Sequence, residues 1–304
     1  MTTAARYGVL LICGLLQACA GSQVRNADDA LADSVSKENL DLVFATEFPV
    51  ASKQEAIARS NAAYRDGDLD KALFYSVKAL RFDAADVDVL MRIANLHMRQ
   101  GNSRLAARAF NLALQQEPTH AGALQGLGLL YFEAGNAEKA QENLEQAVAG
   151  DASLWQSWNI LGVLADERRE YAKAANYYEN AMEAQPNAVS VRINRGWSLY
   201  LAGDLEAAAR ELFEVATASD HPTAWRNLGM AYARLGWYQE SIDVFRKVED
   251  DARAYNRAGE IALKNRDFDI ADDYFSEALR QSPIYFAEAE QNLARLQQAR
   301  SGGR

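Results

Sequence analysis

The side chains that could do chemistry are few and scattered. Three histidines, His97, His120 and His221, lie far apart in the 304-residue chain, and none has a cysteine or second histidine at metal-ligand spacing. Asp250-Asp251 and Asp272-Asp273 read as solvated charges of turns and helix faces, not as an acid–base pair. Gly126-Leu127-Gly128 lacks the third glycine and the preceding strand of a nucleotide loop. No nucleophile elbow or phosphate-binding loop is present. The expectation is no catalytic residue, no metal, no cofactor and no enzyme. One thiol stands apart: Cys19, which follows Leu16-Gln17-Ala18.

The residues before Cys19 explain why that thiol matters. Arg6 is the one positive charge, Tyr7 to Leu16 is an apolar run of ten residues, and Gln17-Ala18 follows. Ten residues are too few to span a bilayer as a helix, but they suit the apolar core of a secretory signal with a small-residue cleavage site. The run Leu16-Gln17-Ala18-Cys19 resembles the lipobox of bacterial lipoproteins, with Gln17 a mild departure. That resemblance implies cleavage before Cys19 and its acylation, with palmitate among the chains. Several acyl chains anchor a protein stably where one does so marginally. Ala20, where an inner-membrane retention signal more often has Asp, implies the periplasmic face of the outer membrane. The alternative is an ordinary signal peptide in which Cys19 is incidental.

Composition fits either form of export. The two cysteines are Cys13, in the apolar run, and Cys19, so the body after the cut carries no disulfide and relies on core burial. Removing residues 1–18 deletes one Arg and no acid, which moves the formal charge from -10 to -11. An acidic chain argues against nucleic acid as a partner.

The elements behind these residues are helical and periodic. Leu90, Ile93, Ala94, His97, Gly101, Ala106, Phe110, Ala113 and Pro118 describe two amphipathic helices joined by a tight turn. The skeleton returns 34 residues on as Leu124, Leu127, Gly128, Tyr131, Gly135, Ala140, Leu144 and Ala147. It returns again as Trp158, Leu161, Gly162, Ala165, Ala174, Tyr178, Ala181 and Pro186. Small residues such as Gly128 and Ala140 mark close helix approach, and Trp158 and Phe110 fill the gaps between hairpins. The register is carried by Ala72, Ala106, Ala140, Ala174, Ala208, Ser241 and Ala271, at gaps of 34, 34, 34, 34, 33 and 30. This pattern resembles the tetratricopeptide repeat. The resemblance implies an all-α, right-handed superhelical solenoid of about seven helix hairpins plus a C-terminal capping helix.

Domain limits follow from the register. Residues 1–18 are the signal peptide and 19–52 a lipidated tether and N-terminal segment, with a short helix considered for Glu38 to Phe44 and Phe44, Phe48 and Pro49 docking on the first repeat. Residues 53–285 are the repeat array and 286–304 the capping helix and tail. The first repeat has Ser60 and Ala63 where Gly and Tyr are usual, as a terminal cap would. The sixth is short: its second helix, expected at Gln239 to Glu249, is clipped before Asp250. The final helix is expected over Ile284 to Arg300, with Ala289, Leu293 and Leu296 inward and Ser301 to Arg304 disordered.

Binding is the better question for such a chain. The resemblance implies that first helices line a concave face, onto which Met91, Asn95, Met98, Arg99, Gln125, Leu129, Phe132, Glu133, Gln156, Asn159, Val163, Asp166, Ile193, Trp197, Tyr200, Leu201, Arg226, Met230 and Arg234 project. Asn95, Leu129, Phe132, Asn159, Val163, Trp197, Tyr200, Arg226 and Met230 are the candidate partner-binding residues. Aromatic groups with Arg and Asn nearby suit the capture of a peptide; tight stacking of neighbouring repeats would bury the same rings. Tetratricopeptide arrays behind a lipobox are similar to envelope-assembly lipoproteins, above all that of the tight-adherence (Flp-type) pilus, with Asn227-Leu228-Gly229, Asn256-Arg257-Ala258-Gly259 and Ser282-Pro283-Ile284-Tyr285 as points of likeness. That likeness implies a scaffold for pilus or secretin assembly. The alternative is an adaptor that recruits peptidoglycan-modifying enzymes. Both expect protein or peptide partners in the bacterial envelope and contact with the membrane only through the N-terminal lipid.

Overall fold

Many of the helices begin where a polar side chain satisfies a free N–H group of the first turn. Ser52 accepts from Glu55 N at 3.1 Å, Asp68 from Lys71 N at 2.9 Å, Asp86 from Val89 N at 2.9 Å and Asn136 from Lys139 N at 3.1 Å. His120 and His221 do the same through Nδ1, accepting from Ala123 N and Thr223 N at 3.1 and 3.2 Å. The histidines at the repeat junctions are therefore helix caps. His97 is half-buried, its imidazole pushed down by that burial.

The structure, a computed structural model, describes residues 50–282 and 284–302, and among these there are fifteen helices and no strand. Cys19, the 1–18 segment, the Glu38 to Phe44 helix and the docking of Phe44, Phe48 and Pro49 lie outside the described residues. The helices pair as hairpins: α1 (Lys53–Arg65) with α2 (Leu69–Leu80), α3 (Val87–Arg99) with α4 (Ser103–Gln116), and α5 (Ala121–Glu133) with α6 (Ala137–Gly150). Next come α7 (Trp155–Glu167) and α8 (Tyr171–Ala184), then α9 (Val189–Ala202) with α10 (Leu205–Ser219). After these, α11 (Pro222–Arg234) is followed by α12 (Tyr238–Phe245), α13 (Asp251–Asn265) pairs with α14 (Phe268–Gln281), and α15 (Ala287–Gly302) ends the series. The chain forms two compact units that divide within α7, residues 50–157 and residues from Trp158 onward.

Both units are built on the same interlock. Ala72, Ala106, Ala140, Ala174, Ala208, Ser241 and Ala271 are all fully buried. A Cβ added to Gly128 would sit 2.5 Å from Leu144, and one added to Gly162 would sit 2.5 Å from Tyr178. The missing side chain on the first helix is thus the seat of a large one on the second. Where the sixth repeat has Ser241 for alanine, its hydroxyl donates to Gly229 O at 2.8 Å, so the buried polar atom is satisfied. In the first repeat Ser60 likewise donates to Ala72 O at 2.9 Å.

Turns inside the hairpins need one left-handed residue. Gly203 supplies it with φ 89°, as do four other glycines, but Arg169 and Arg266 do so at φ 63° and 70°. A side chain there costs energy that glycine does not pay. Arg169→Gly and Arg266→Gly are each expected to raise stability by roughly 0.5–1 kcal/mol, measured as a higher urea midpoint with unchanged slope.

Two boundaries differ from the sequence expectation. Helix α12 stops at Phe245, four residues short of Glu249, because Asp250 must leave the helix to accept from Arg253 N at 2.9 Å and start α13. Helix α15 starts at Ala287, not Ile284, leaving Ile284 and Tyr285 78% and 74% exposed. Its carbonyl ladder opens at Phe286, which accepts from Glu290 N. The helix also runs past Arg300, with Ser301 Oγ donating back to Gln298 O at 3.0 Å. Ala289 and Leu296 are buried as patterned, Leu293 packs partly, and Asn292, outside the expected inward set, is 2% exposed.

Candidate partner-binding surface

The first helices of the hairpins carry the candidate residues, and neighbouring first helices are joined by polar side chains. In the first unit Arg92 donates to Asn61, and Gln125 Nε2 donates to Ser157 Oγ at 3.1 Å. In the second, Asn194 Nδ2 donates to Asn159 Oδ1 at 3.0 Å, and Asn292 Nδ2 to Asn256 Oδ1 at 3.0 Å. These bonds consume several side chains that the pattern offers to a partner.

In the first unit Asn95 is exposed on α3, and Leu129 and Phe132 are half-buried on α5. Met98 joins the hydrophobic core of that unit. Arg99 lies over the Tyr64 ring, 4.9 Å from its centroid, and donates to its hydroxyl.

In the second unit the candidates divide. Asn159, Val163 and Ile193, expected on the binding face, are 1%, 8% and 1% exposed and serve the packing of the repeats. The reason is the close stacking of successive first helices, which the Asn194–Asn159 bond holds. Trp197 and Tyr200 remain half-open and stack with centroids 4.7 Å apart and planes 15° from parallel. Arg234, from α11, lies over Tyr200 at 5.8 Å from its ring centroid. Burial raises the Tyr200 phenol, while Arg234 pulls it the other way. Met230 packs against the core of the last repeats. Arg226 reaches Glu249 at 3.6 Å, and Arg257 Nε holds both oxygens of the same carboxylate at 2.7 Å.

Asp166 is the position where residue type and surroundings disagree most. It is 8% exposed, and its carboxylate meets only hydroxyls: Tyr178 OH donates at 2.8 Å and Ser198 Oγ at 2.6 Å. Burial pushes the acid up to about 6 against the downward pull of those two bonds. The Tyr178 phenol is raised well above its ordinary value, by burial first and by Asp166 next. Asp166 ties α7, α8 and α9 together. The sequence placed it on the open face; the paired hydroxyls on two other helices carry no signal in sequence. Three polar side-chain atoms, His97 Nδ1, Asn159 Nδ2 and Asn227 Nδ2, are buried without a hydrogen-bond partner among the described residues. Among the described residues no group of His, Cys, Asp and Glu comes together as a metal site, and no helix is long and apolar enough to cross a membrane.

Repeating antiparallel hairpins with a glycine-for-aromatic interlock and a patch of stacked rings define an α-helical repeat scaffold. The chain belongs to the tetratricopeptide repeat family: models of that repeat match residues 91–153, 126–178, 161–220, 209–257 and 252–285. Among curated relatives it is 26% identical over 200 residues to human "Tetratricopeptide repeat protein 6", covering 62% of this chain and 38% of that one. It is 23% identical over 233 residues to "BBSome complex member BBS4" of Bos taurus, covering 75% of this chain and 44% of that one. The chain thus spans less than half the length of both. Solved structures of similar fold include a tetratricopeptide repeat protein from Parabacteroides merdae, at TM-score 0.56 and 21% identity over 81% of this chain and 99% of that one. Another is PilW, described as a widely conserved type IV pilus biogenesis factor, at TM-score 0.54 and 21% identity over 68% and 98%.

Proposed function

We propose that this protein is a lipid-anchored scaffold on the periplasmic face of the outer membrane that assists assembly of a pilus or secretion machine of the Flp type, with its secretin as partner. The observation that carries the binding reading is the Trp197–Tyr200 stack on α9, which hairpin packing leaves partly exposed. The anchor rests on Leu16-Gln17-Ala18-Cys19 after a ten-residue apolar run. Support for the pilus system comes from the sequence likeness of Asn227-Leu228-Gly229 and the residues around Pro283. PilW, a pilus biogenesis factor, is built on the same fold.

Both halves are testable in native membranes. Cys19→Ser is expected to abolish incorporation of labelled palmitate and to move the protein from the membrane to the soluble fraction; unchanged fractionation would remove the anchor. A photoreactive residue at Trp197 is expected to trap a secretin or pilus subunit. The same group at Phe213, 49% exposed on α10, should trap none. Capture of murein hydrolases from the Trp197 site would replace the pilus assignment with the adaptor role. Equal background from both sites would end the binding reading of α9.

A further inference from the structure

Helices α9 and α11 depart from the acidic balance of the chain, a departure that among the described helices they share with α4. The protein has 42 Asp and Glu against 32 Lys and Arg. Yet these two helices, which touch one another, carry Arg192, Arg195, Arg226 and Arg234 and no acidic residue at all. Three of the four guanidiniums borrow acids from other elements. Arg192 binds Glu211 and Glu214 at 2.8 and 2.9 Å, Arg195 lies 3.6 Å from Glu211, and Arg226 shares Glu249 with Arg257. Arg234 has no acid within ion-pair distance among the described residues; its guanidinium is exposed and rests on the Tyr200 ring.

A guanidinium without an acid partner keeps N–H groups that a carboxylate can accept in a fork. Arg234 lies over Tyr200, Tyr200 stacks with Trp197, and Leu201, one helical turn beyond Trp197, is 36% exposed. A cation without an acid partner thus borders a part-exposed apolar surface. The first unit repeats the Arg-on-Tyr pair with Arg99 and Tyr64, but there Asn61 occupies the place of the tryptophan.

We propose that the Trp197–Tyr200–Arg234 surface docks an acidic peptide segment, a carboxylate pairing with Arg234 and an adjacent large apolar side chain lying on Trp197 and Leu201. This rests on the scaffold reading above and names its partner's chemistry. The unpaired Arg234 selects such a segment by charge complementarity, and the part-exposed rings supply the apolar anchor.

The test is a displayed library of random twelve-residue peptides selected on the full chain. Selected peptides are expected to be enriched in Asp or Glu beside an aromatic residue or leucine. A synthetic peptide of the selected consensus should bind Arg234→Met and Trp197→Ala at least tenfold more weakly, with unchanged helicity by circular dichroism. Arg99→Met, at the matching pair of the first unit, should bind it normally. Selection of peptides without acid enrichment, recovery of no peptide, or normal binding by Arg234→Met would each overturn the proposal. None of these touches the scaffold reading, which stands or falls on capture of an envelope protein at Trp197.

Discussion

Phe245→Ala is expected to cost about 3–5 kcal/mol in urea unfolding of the second unit, the range for emptying a fully packed phenylalanine site. Phe245 is fully buried, and its ring lies where a Cβ on Gly229 would come within 2.6 Å of Cε1. That closeness gives a second, sharper expectation. Gly229→Ala alone forces the ring aside and should cost roughly 1–2 kcal/mol, because overpacking outweighs the gain in helix propensity. In the Phe245→Ala background the same methyl enters an empty site, and Gly229→Ala should stabilise by about 0.5–1 kcal/mol. The double-mutant cycle therefore changes sign. Additive effects, within about 0.5 kcal/mol, would show that the two helices do not interlock as described.

Asp166→Asn is expected to alter how stability depends on pH. The folded protein holds the Asp166 proton with a value of about 6, against an ordinary 3.8. Between these values the folded state binds more protons than the unfolded one, so the contribution of Asp166 is full below about pH 4 and lost as pH rises through 6. The loss amounts to roughly 2–3 kcal/mol. Asparagine keeps an oxygen for one hydroxyl and offers N–H to the other, without a charge to desolvate. The variant should equal the wild type near pH 4 and exceed it by about 1–3 kcal/mol at pH 7.5. Glu167, beside Asp166 and also raised by burial, acts on Tyr178 and remains in both proteins. A difference that stays constant across pH would mean that the carboxylate is hydrated in the folded state.

What the sequence disclosed was what periodicity encodes. Ala72 to Ala271 set the hairpin register because a buried small residue at each crossing is a local requirement repeated seven times. The limits of α12 and α15 were less legible. Asp250 stops one helix by starting the next, a competition between neighbours that hydrophobic period does not register. The surface was legible in part. Trp197 and Tyr200 stay open while Asn159 and Val163 are buried, though all four share the same kind of helix position. The difference lies in partners on other helices: Asn194 reaches Asn159, and Arg234 reaches Tyr200. Asp166 was named for its place on the helix, but the two hydroxyls around it come from α8 and α9.

The eight residues of α12 bear on how a ligand could count along the second unit. A periodic scaffold offers a long ligand many near-equivalent alignments, each shifted by one repeat, and a ligand that slides among them gains affinity but carries no address. A break in the period removes that degeneracy: alignments that straddle the shortened step are out of phase on one side or the other. The acid-free helices α9 and α11 lie just ahead of that step, with Glu249 in the turn after α12 bridging Arg226 and Arg257 across it. The irregularity gives the array an origin, a point from which position along it is defined.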